Sequence, residues 1–146
     1  MEPSILNATG IWFYSKSTGR YLYLLRNDHK HPGTWGLPGG KVEAGESLLD
    51  AITRECTEEL GEFPVTEKLM PIEQFTSADN RFIYHTFFGV VNDEFVPTLN
   101  SEHYGYAWID KHSIPKPLHP GLWSTINIEE VKQKVETVEQ SLYTSQ

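Results

Sequence analysis

The amino-acid sequence predicts an α+β fold in a single domain, residues 1–146. Short runs of β-branched and aromatic residues recur along much of the chain, and two amphipathic helical patterns accompany them. No internal repeat, linker or low-complexity segment divides the sequence. One domain of 146 residues buries about 70% of the surface of its unfolded chain, which is enough for a hydrophobic core.

Five segments have the composition of β-strands: residues 11–14, 21–25, 68–76, 81–91 and 104–109. The first two are separated by a turn-like stretch, and we expect them to form a hairpin. The segment 81–91 is apolar on both of its faces, which predicts a central strand. Residues 27–44 contain six glycines and prolines, so we expect an irregular, functional loop there.

The strongest helical pattern spans residues 47–60. Ser47 is suited to cap its N-terminus, with Asp50 three residues on, and Gly61 stands where a left-handed residue ends a helix. The apolar stripe predicted to face the core consists of Leu49, Ile52, Cys56 and Leu60, with Leu48 just outside it.

The C-terminal part predicts a connector followed by an amphipathic closing helix. Residues 111–120 contain three prolines and form the connector. The closing helix is expected to begin at Asn127 as its N-cap, with Glu130 three residues on. Its apolar stripe consists of Val131, Val135, Val138 and Leu142.

Composition restricts the classes of function. The chain has 20 acidic and 12 basic side chains, a net charge of −8, which argues against sequence-general DNA binding because that requires a basic surface. Its aromatic content of 12% is too high for a disordered acidic tail. No apolar stretch spans a membrane and no secretory signal is visible, so a cytoplasmic protein without a membrane partner is expected. The single cysteine, Cys56, excludes an intramolecular disulfide and a zinc site built on cysteines.

The acid excess is concentrated in residues 40–62, which hold seven acidic and two basic side chains. Within this segment Glu55, Glu58 and Glu59 lie at i, i+3 and i+4 and share one face of the predicted helix, beside the apolar stripe. Their mutual repulsion costs about 0.4–1 kcal/mol, and they also oppose the helix dipole. A solvated face is the simplest interpretation of such a pattern alone. A hard divalent cation with oxygen ligands, Mg²⁺ above all, would instead compensate the local instability.

The surrounding sequence favours the metal. The stretch Gly40-x5-Glu46-x7-Arg54-Glu55-Cys56-x-Glu58-Glu59-x-Gly61-Glu62 resembles the signature of the Nudix hydrolases, or MutT-like proteins, Gly-x5-Glu-x7-Arg-Glu-U-x-Glu-Glu-x-Gly-U, with U an aliphatic residue. All the fixed positions match, and the departures are Cys56 and Glu62 at the two U positions. The resemblance implies an α/β/α sandwich with a mixed central sheet, a box helix and a C-terminal helix.

The resemblance also implies roles for individual residues. Glu58, Glu59 and the carbonyl of Gly39 would be metal ligands, and Glu55 would be a ligand or the base that activates water. Arg54 and Glu46 would pair and hold the helix against the loop. This pairing agrees with the helical geometry, which predicts that Arg54 projects away from the acidic face. Arg54 is therefore counted among the expected catalytic residues, with Glu55 and with Glu102, which lies outside the signature.

Further residues, most of them outside the signature, complete the expected site. Glu102 is the best candidate for a further catalytic carboxylate, with an ordinary loop acid as the alternative. Arg26 would meet substrate phosphate, with a rim salt bridge as the alternative. Gly40 and Lys41 belong to the substrate-binding loop, where Lys41 is expected chiefly to stabilise the loop. His103 is a candidate proton carrier. Some aromatic side chains are candidates for a base-stacking platform, with packing in the core or rim as the alternative: Trp12, Trp35, Phe82, Tyr84, Tyr104 and Tyr106.

The resemblance implies Mg²⁺-dependent hydrolysis of a pyrophosphate bond in a nucleoside diphosphate linked to a further group, either a nucleoside triphosphate or a nucleotide sugar, with Mn²⁺ as a possible substitute. The partner is then a small-molecule nucleotide, not DNA, and a homodimer is possible. Hydrolysis of dinucleoside polyphosphates or RNA 5′ ends is the alternative reaction. A catalytically silent nucleotide-binding domain is the alternative from another class, but no glutamate of the signature is lost.

Overall fold

A seven-stranded mixed sheet lies at the centre of the structure, a computed structural model that describes residues 4–143. Its strands are β1 (Leu6–Ser15), β2 (Arg20–Arg26), β3 (Trp35–Gly36), β4 (Gly39–Lys41), β5 (Lys68–Thr76), β6 (Phe82–Val91) and β7 (His103–Asp110). The helices of this part of the chain are α1 (Leu48–Leu60), α2 (Pro120–Ile126) and α3 (Glu129–Tyr143). Helix α1 packs on one face of the sheet and helices α2 and α3 on the other. The predicted α+β sandwich is therefore confirmed.

Strand β1 organises the sheet. It runs parallel to β6 along its whole length, from Leu6 beside Phe82 to Ser15 beside Val91. On its other side it pairs antiparallel with β4 in its first half and with β2 at its C-terminal end, where the predicted hairpin is found. Strand β6 lies between β1 and β5, as the apolar character of both its faces predicts. Strand β2 also pairs with β7 and, at its end, with β3.

Alternation along the strands divides the core into two layers. In β1, Ile11 and Phe13 pack under α1, whereas Trp12 and Tyr14 pack under α2 and α3. Strand β2 alternates in the same way. The two faces of one strand thus hold both helical layers.

Helix α1 has the predicted caps but a different rotation about its axis. The Ser47 hydroxyl accepts a hydrogen bond from the Asp50 N–H at 3.0 Å, and Gly61 ends the helix with φ of 95°. Leu48 packs against the core, whereas Leu49 is 52% exposed, so the predicted positions of these two leucines are wrong. The buried arc is completed instead on the other side, by Ala51.

Two further predictions about local structure are wrong, and one helix was not predicted. The segment 27–44 is not wholly irregular, because β3 and β4 find backbone partners in β2 and β1. The connector 111–120 leads into a helix that was not predicted, α2, with Pro120 in its first turn. Asn127 ends α2 and does not cap α3, which begins two residues later, although the stripe of Val131, Val135 and Leu142 is buried as expected. None of the helices in residues 4–143 is both long and apolar enough to cross a lipid bilayer.

Candidate active site

Two adjacent glycines let α1 approach the sheet closely. Gly40 of β4 lies beside Thr9 of β1, and a Cβ atom at Gly40 would be 2.5 Å from the carboxyl carbon of Glu55. At Gly39 a Cβ atom would be 2.1 Å from the carbonyl oxygen of Thr9, and φ is 144°. Because a Cβ atom at Gly39 would strike backbone and one at Gly40 would displace the Glu55 side chain, the two glycines let the backbone of β4 pass directly beneath a carboxylate of the helix.

Glu59 is buried among apolar residues, with 4% of its surface exposed. One of its carboxyl oxygens accepts a hydrogen bond from the N–H of Gly39 at 3.1 Å. Burial raises the pKa of Glu59, the Gly39 N–H opposes this shift, and the nearby charges of Glu55 and Glu102 raise the pKa further. The carboxyl groups of Glu55 and Glu59 are within hydrogen-bonding reach of each other.

The burial of Glu59 corrects the expectation of an acidic face lying beside the core. Around the helix axis Glu59 is about 20° from Ile52, inside the buried arc, and Glu55 is about 60° away on the same side. The side chain of Glu55 is 14% exposed, and burial raises its pKa while the guanidinium of Arg54 lowers it. Glu58 points outward, with 52% of its side chain exposed. The three glutamates therefore occupy three different environments.

Arg54 binds Glu46 through two parallel hydrogen bonds, from Nε at 2.8 Å and from Nη2 at 3.0 Å. Nη2 also donates to the carbonyl oxygen of Lys41 at 2.9 Å, which ties α1 to the loop before it. The charge-assisted bonds from Arg54 lower the pKa of Glu46 to about 2. The prediction that Arg54 projects away from the acidic face is wrong. Its Nη1 atom donates to Glu55 at 3.1 Å and lies 3.7 Å from Glu58.

The oxygen donors of the site fit a hard divalent cation. The buried carboxyl group of Glu59 lies beside the partly buried carboxyl group of Glu55, and no basic side chain among the described residues pairs with Glu59. A cation between the two groups would offset their repulsion. Within residues 4–143, no set of three or more His, Cys, Asp or Glu side chains already surrounds one ion position. Glu58 would have to turn inward to join the pair. Glu102 is exposed and lies near enough for its charge to act on Glu59.

A second group of polar side chains lies at the end of β2. Arg26 donates a hydrogen bond to Asp28, and its Nε atom is buried with no hydrogen-bond partner among the described residues. His103 pairs with Arg26 across the strands, and its Nδ1 atom is likewise buried without a partner in residues 4–143. Burial and the charge of Arg26 lower the pKa of His103 to about 4, so its imidazole is neutral near pH 7.

Sequence reasoning missed Asp28 and His119 in this group. Asp28 follows Arg26 by two residues, so proximity in the sequence was a usable signal. His119 packs its ring edge-on against His31, with 4.5 Å between the ring centres. His119 is held there because the preceding residue, Leu118, forms a β-bridge with Trp35 of β3. No local sequence pattern predicts this contact between distant residues.

Comparisons with known proteins agree with this geometry. The sequence model described as "NUDIX domain" matches residues 5–127. Nucleoside triphosphatase NudI of Escherichia fergusonii is 32% identical over 106 residues, which are 64% of this chain and 75% of that protein. The protein of the same name from Escherichia coli O139:H28 is 33% identical over 106 residues, with the same coverage of 64% and 75%.

Solved structures show the same fold. A MutT NUDIX hydrolase from Burkholderia pseudomallei is 24% identical, with a TM-score of 0.65 over 91% of this chain and 98% of that one. A MutT structure from work on Aliivibrio salmonicida and Vibrio cholerae is 22% identical, with a TM-score of 0.71 over 89% of this chain and 99% of that one. The likeness in fold thus extends over most of the chain.

Proposed function

Because this chain belongs to the NUDIX family and is a pyrophosphohydrolase of the Nudix type, we propose that it hydrolyses nucleoside triphosphates with Mg²⁺. The observation that carries the proposal is the carboxyl pair of Glu55 and Glu59, held against the paired glycines of β4. The substrate class is supported by the similarity to nucleoside triphosphatase NudI. Nucleotide sugars are the second substrate class that the same site would serve.

The proposed ligands of the cation are Glu58, Glu59 and the Gly39 carbonyl, with Glu55 as a ligand or as the base. When bound, Mg²⁺ neutralises phosphate charge and lowers the pKa of a coordinated water. Mn²⁺ offers the same oxygen-loving chemistry and is expected to substitute. The support from this chain is its set of carboxylate donors on one helix, of which Glu59 is buried and Glu55 is only 14% exposed.

The proposed reaction is a substitution at phosphorus. The water oxygen forms a bond to phosphorus, the phosphoanhydride bond breaks, and a nucleoside monophosphate and pyrophosphate leave. Glu55 or Glu102 accepts the proton released by the water. Arg54 keeps Glu55 in place through the hydrogen bond at 3.1 Å, and its clamp on Glu46 fixes the helix against the loop.

Arg26 is proposed to bind substrate phosphate. Its buried Nε atom has no partner in the described part of the chain, and a phosphate oxygen would supply the missing acceptor. Gly40 and Lys41, both in β4, are proposed to contact the substrate as well, and the exposed Lys41 adds positive charge there. We further propose a cytoplasmic enzyme whose acidic charge disfavours DNA and RNA. The homodimer given above as possible is tested by sedimentation.

The decisive experiment compares Glu59→Gln with the wild type in a nucleotide panel that scores products as well as rates. The amide keeps the shape of the buried side chain but removes a charged ligand, so we expect a folded protein whose Mg²⁺-dependent turnover falls by about 100-fold or more. Glu62→Gln, an exposed residue just after the helix, is the matched control and is expected to keep full activity.

Each outcome of the panel has a defined meaning. Wild-type turnover in folded Glu59→Gln would refute the ligand assignment. Faster cleavage of dinucleoside polyphosphates or of RNA 5′ ends than of triphosphates would replace the substrate class. Absence of any hydrolysis with Mg²⁺ or Mn²⁺ would favour a silent nucleotide-binding domain.

A further inference from the structure

A cavity of about 300 Å³ lies between the central sheet and helix α3, on the sheet face opposite α1. Tyr21, which lines this cavity, pairs with Ile109 at one end of the ladder between β2 and β7, whereas Arg26 pairs with His103 at the other end. Tyr21 and Arg26 are five residues apart on β2, which corresponds to about 16 Å along the strand. The cavity is therefore remote from the polar side chains around Arg26, and we refer to it as the α3 cavity.

The interior of the α3 cavity is apolar and aromatic. Six of its lining residues are at most 7% exposed: Trp12, Tyr21, Tyr23, Ile126, Val131 and Val135. The rings of Trp12 and Tyr21 are tilted against each other, with 4.5 Å between their centres. The charged residues that border the cavity, Lys111, Lys132 and Glu136, are exposed and therefore mark its mouth. A concave apolar interior of this size is typical of a small-molecule site.

Three aromatic side chains of the α3 cavity carry a polar atom, and two of these atoms are unpaired. The Tyr21 hydroxyl donates to the carboxylate of Glu139, which also accepts a hydrogen bond from Lys111 at 2.7 Å. In contrast, Nε1 of Trp12 and the hydroxyl of Tyr23 are buried and have no hydrogen-bond partner within residues 4–143. Burial raises the pKa of Tyr23 to about 12 and the indole N–H of Trp12 opposes this shift, so the two side chains are neighbours. Each of these groups has lost water without gaining a hydrogen bond, which is unusual in a protein interior.

We propose that the α3 cavity binds an uncharged aromatic molecule whose carbonyl oxygen or ring nitrogen accepts hydrogen bonds from the Trp12 indole and the Tyr23 hydroxyl. The acceptor supplies what both buried groups lack. The ligand is uncharged because the charged side chains lie at the mouth, and a charge carried inside would have no partner. The ligand is aromatic because three rings line the interior and pack well against a further ring. This site is separate from nucleotide hydrolysis and does not depend on it.

The test compares two probes, acetophenone and ethylbenzene, which share a carbon skeleton and differ in that only acetophenone has a carbonyl oxygen. NMR titration of the whole protein measures both dissociation constants, and we expect acetophenone to bind about 5-fold or more tightly than ethylbenzene. Tyr23→Phe removes only a hydroxyl that bonds no described residue, so the variant is expected to fold. In this variant acetophenone binding should weaken by about 5-fold, and ethylbenzene binding should not change.

A matched control makes the same change on the same sheet face outside the α3 cavity. The Tyr14 hydroxyl lies 2.8 Å from that of Tyr143, and Tyr14→Phe is expected to leave both dissociation constants unchanged. The chain has four tryptophans, so the indole N–H signal of Trp12 is one of four and is identified by its loss in Trp12→Phe. We expect acetophenone to move this signal more than ethylbenzene does.

Several results would overturn the proposal. Failure of both probes to bind, or equal affinity for the two, would show that the unpaired groups of Trp12 and Tyr23 recognise no ligand. Equal weakening of both probes by Tyr23→Phe would show that its hydroxyl does not select the acceptor. Displacement of acetophenone by ATP would place the probe in the nucleotide site. Binding that is unaffected by ATP and lost selectively in Tyr23→Phe supports the α3 cavity, whether or not the protein hydrolyses any nucleotide.

Discussion

Replacement of Gly40 by alanine would place a methyl group on the carboxyl group of Glu55. The added Cβ would lie 2.5 Å from Cδ and Oε2 and 2.8 Å from Oε1, whereas an ordinary contact needs about 3.4–4 Å. The carboxyl group must therefore retreat by about 1 Å. A displacement of that size in a catalytic group costs about 100-fold in kcat/KM, or about 2.7 kcal/mol of transition-state stabilisation.

The same substitution is expected to leave the free energy of unfolding within about 1 kcal/mol of the wild-type value. The obstructing atoms are the end of a flexible side chain, which can turn away without moving backbone. The smaller conformational entropy of alanine in the unfolded chain also offsets about 0.4–1 kcal/mol of any strain. Activity and stability should therefore separate in this variant.

Steady-state hydrolysis of a nucleoside triphosphate and urea unfolding together test this prediction. Gly105→Ala is the control, because its Cβ would meet nothing within 4 Å. Gly39→Ala is the contrast, since its Cβ would strike the backbone of Thr9 at 2.1 Å and the fold should be lost. A stable Gly40→Ala protein with kcat/KM within about 3-fold of wild type would show that the position of Glu55 is not important for catalysis.

Three further predictions follow from contacts of the site and its surroundings. Arg54→Lys keeps the charge but not the double hydrogen bond to Glu46, so kcat should fall by about 10-fold or more, and wild-type kinetics would contradict the clamp. Burial raises the pKa of the Cys56 thiol, so a disulfide reagent should label it only after unfolding; rapid labelling of native protein would contradict its burial. Burial lowers the pKa of His119 to about 4, so between that pH and about 6.5 the unfolded chain binds a proton that the folded chain does not, and stability falls as pH falls. His119→Asn keeps an acceptor for the Gly121 N–H. Allowing for the partial exposure of His119, this variant should lose about 1 kcal/mol less stability than the wild type between about pH 6.5 and about pH 4. Urea unfolding at these two pH values that gives the same loss in both proteins would refute the prediction.

The sequence predicted the ends of those helices and strands that are fixed by residues adjacent in the chain. The caps of α1 were predicted correctly because Ser47 and Gly61 act on their own helix. The strand at 68–76 has the predicted ends. By contrast, β4 forms only because β1 offers it a backbone partner far away in the sequence. Three-residue strands of this kind have no periodicity to detect.

The candidate site shows the same contrast between features fixed by local sequence and features fixed by distant contacts. A helical period of 3.6 residues tells which glutamates share a face, but packing against the sheet decides how that face is turned. The sequence therefore placed Glu55, Glu58 and Glu59 together but missed that Glu59 is buried and Glu58 exposed. The guanidinium of Arg54 could not be placed either, because its long side chain turns toward whichever carboxylates the loop and helix bring close.

The pairing of β1 with β6 has a consequence for the order in which this enzyme becomes active during synthesis. The ribosome releases β1, β4 and the glutamates of α1 well before β6 emerges, yet β6 supplies the parallel partner of β1 and the Tyr84 ring beside Gly10. Parallel pairing between distant segments forms slowly because a long loop must close first. A nascent chain that already displays all the carboxyl groups of the signature thus still lacks the strand that pairs with β1 along its whole length. We expect it to turn over no nucleotide until the second half of the sheet has docked.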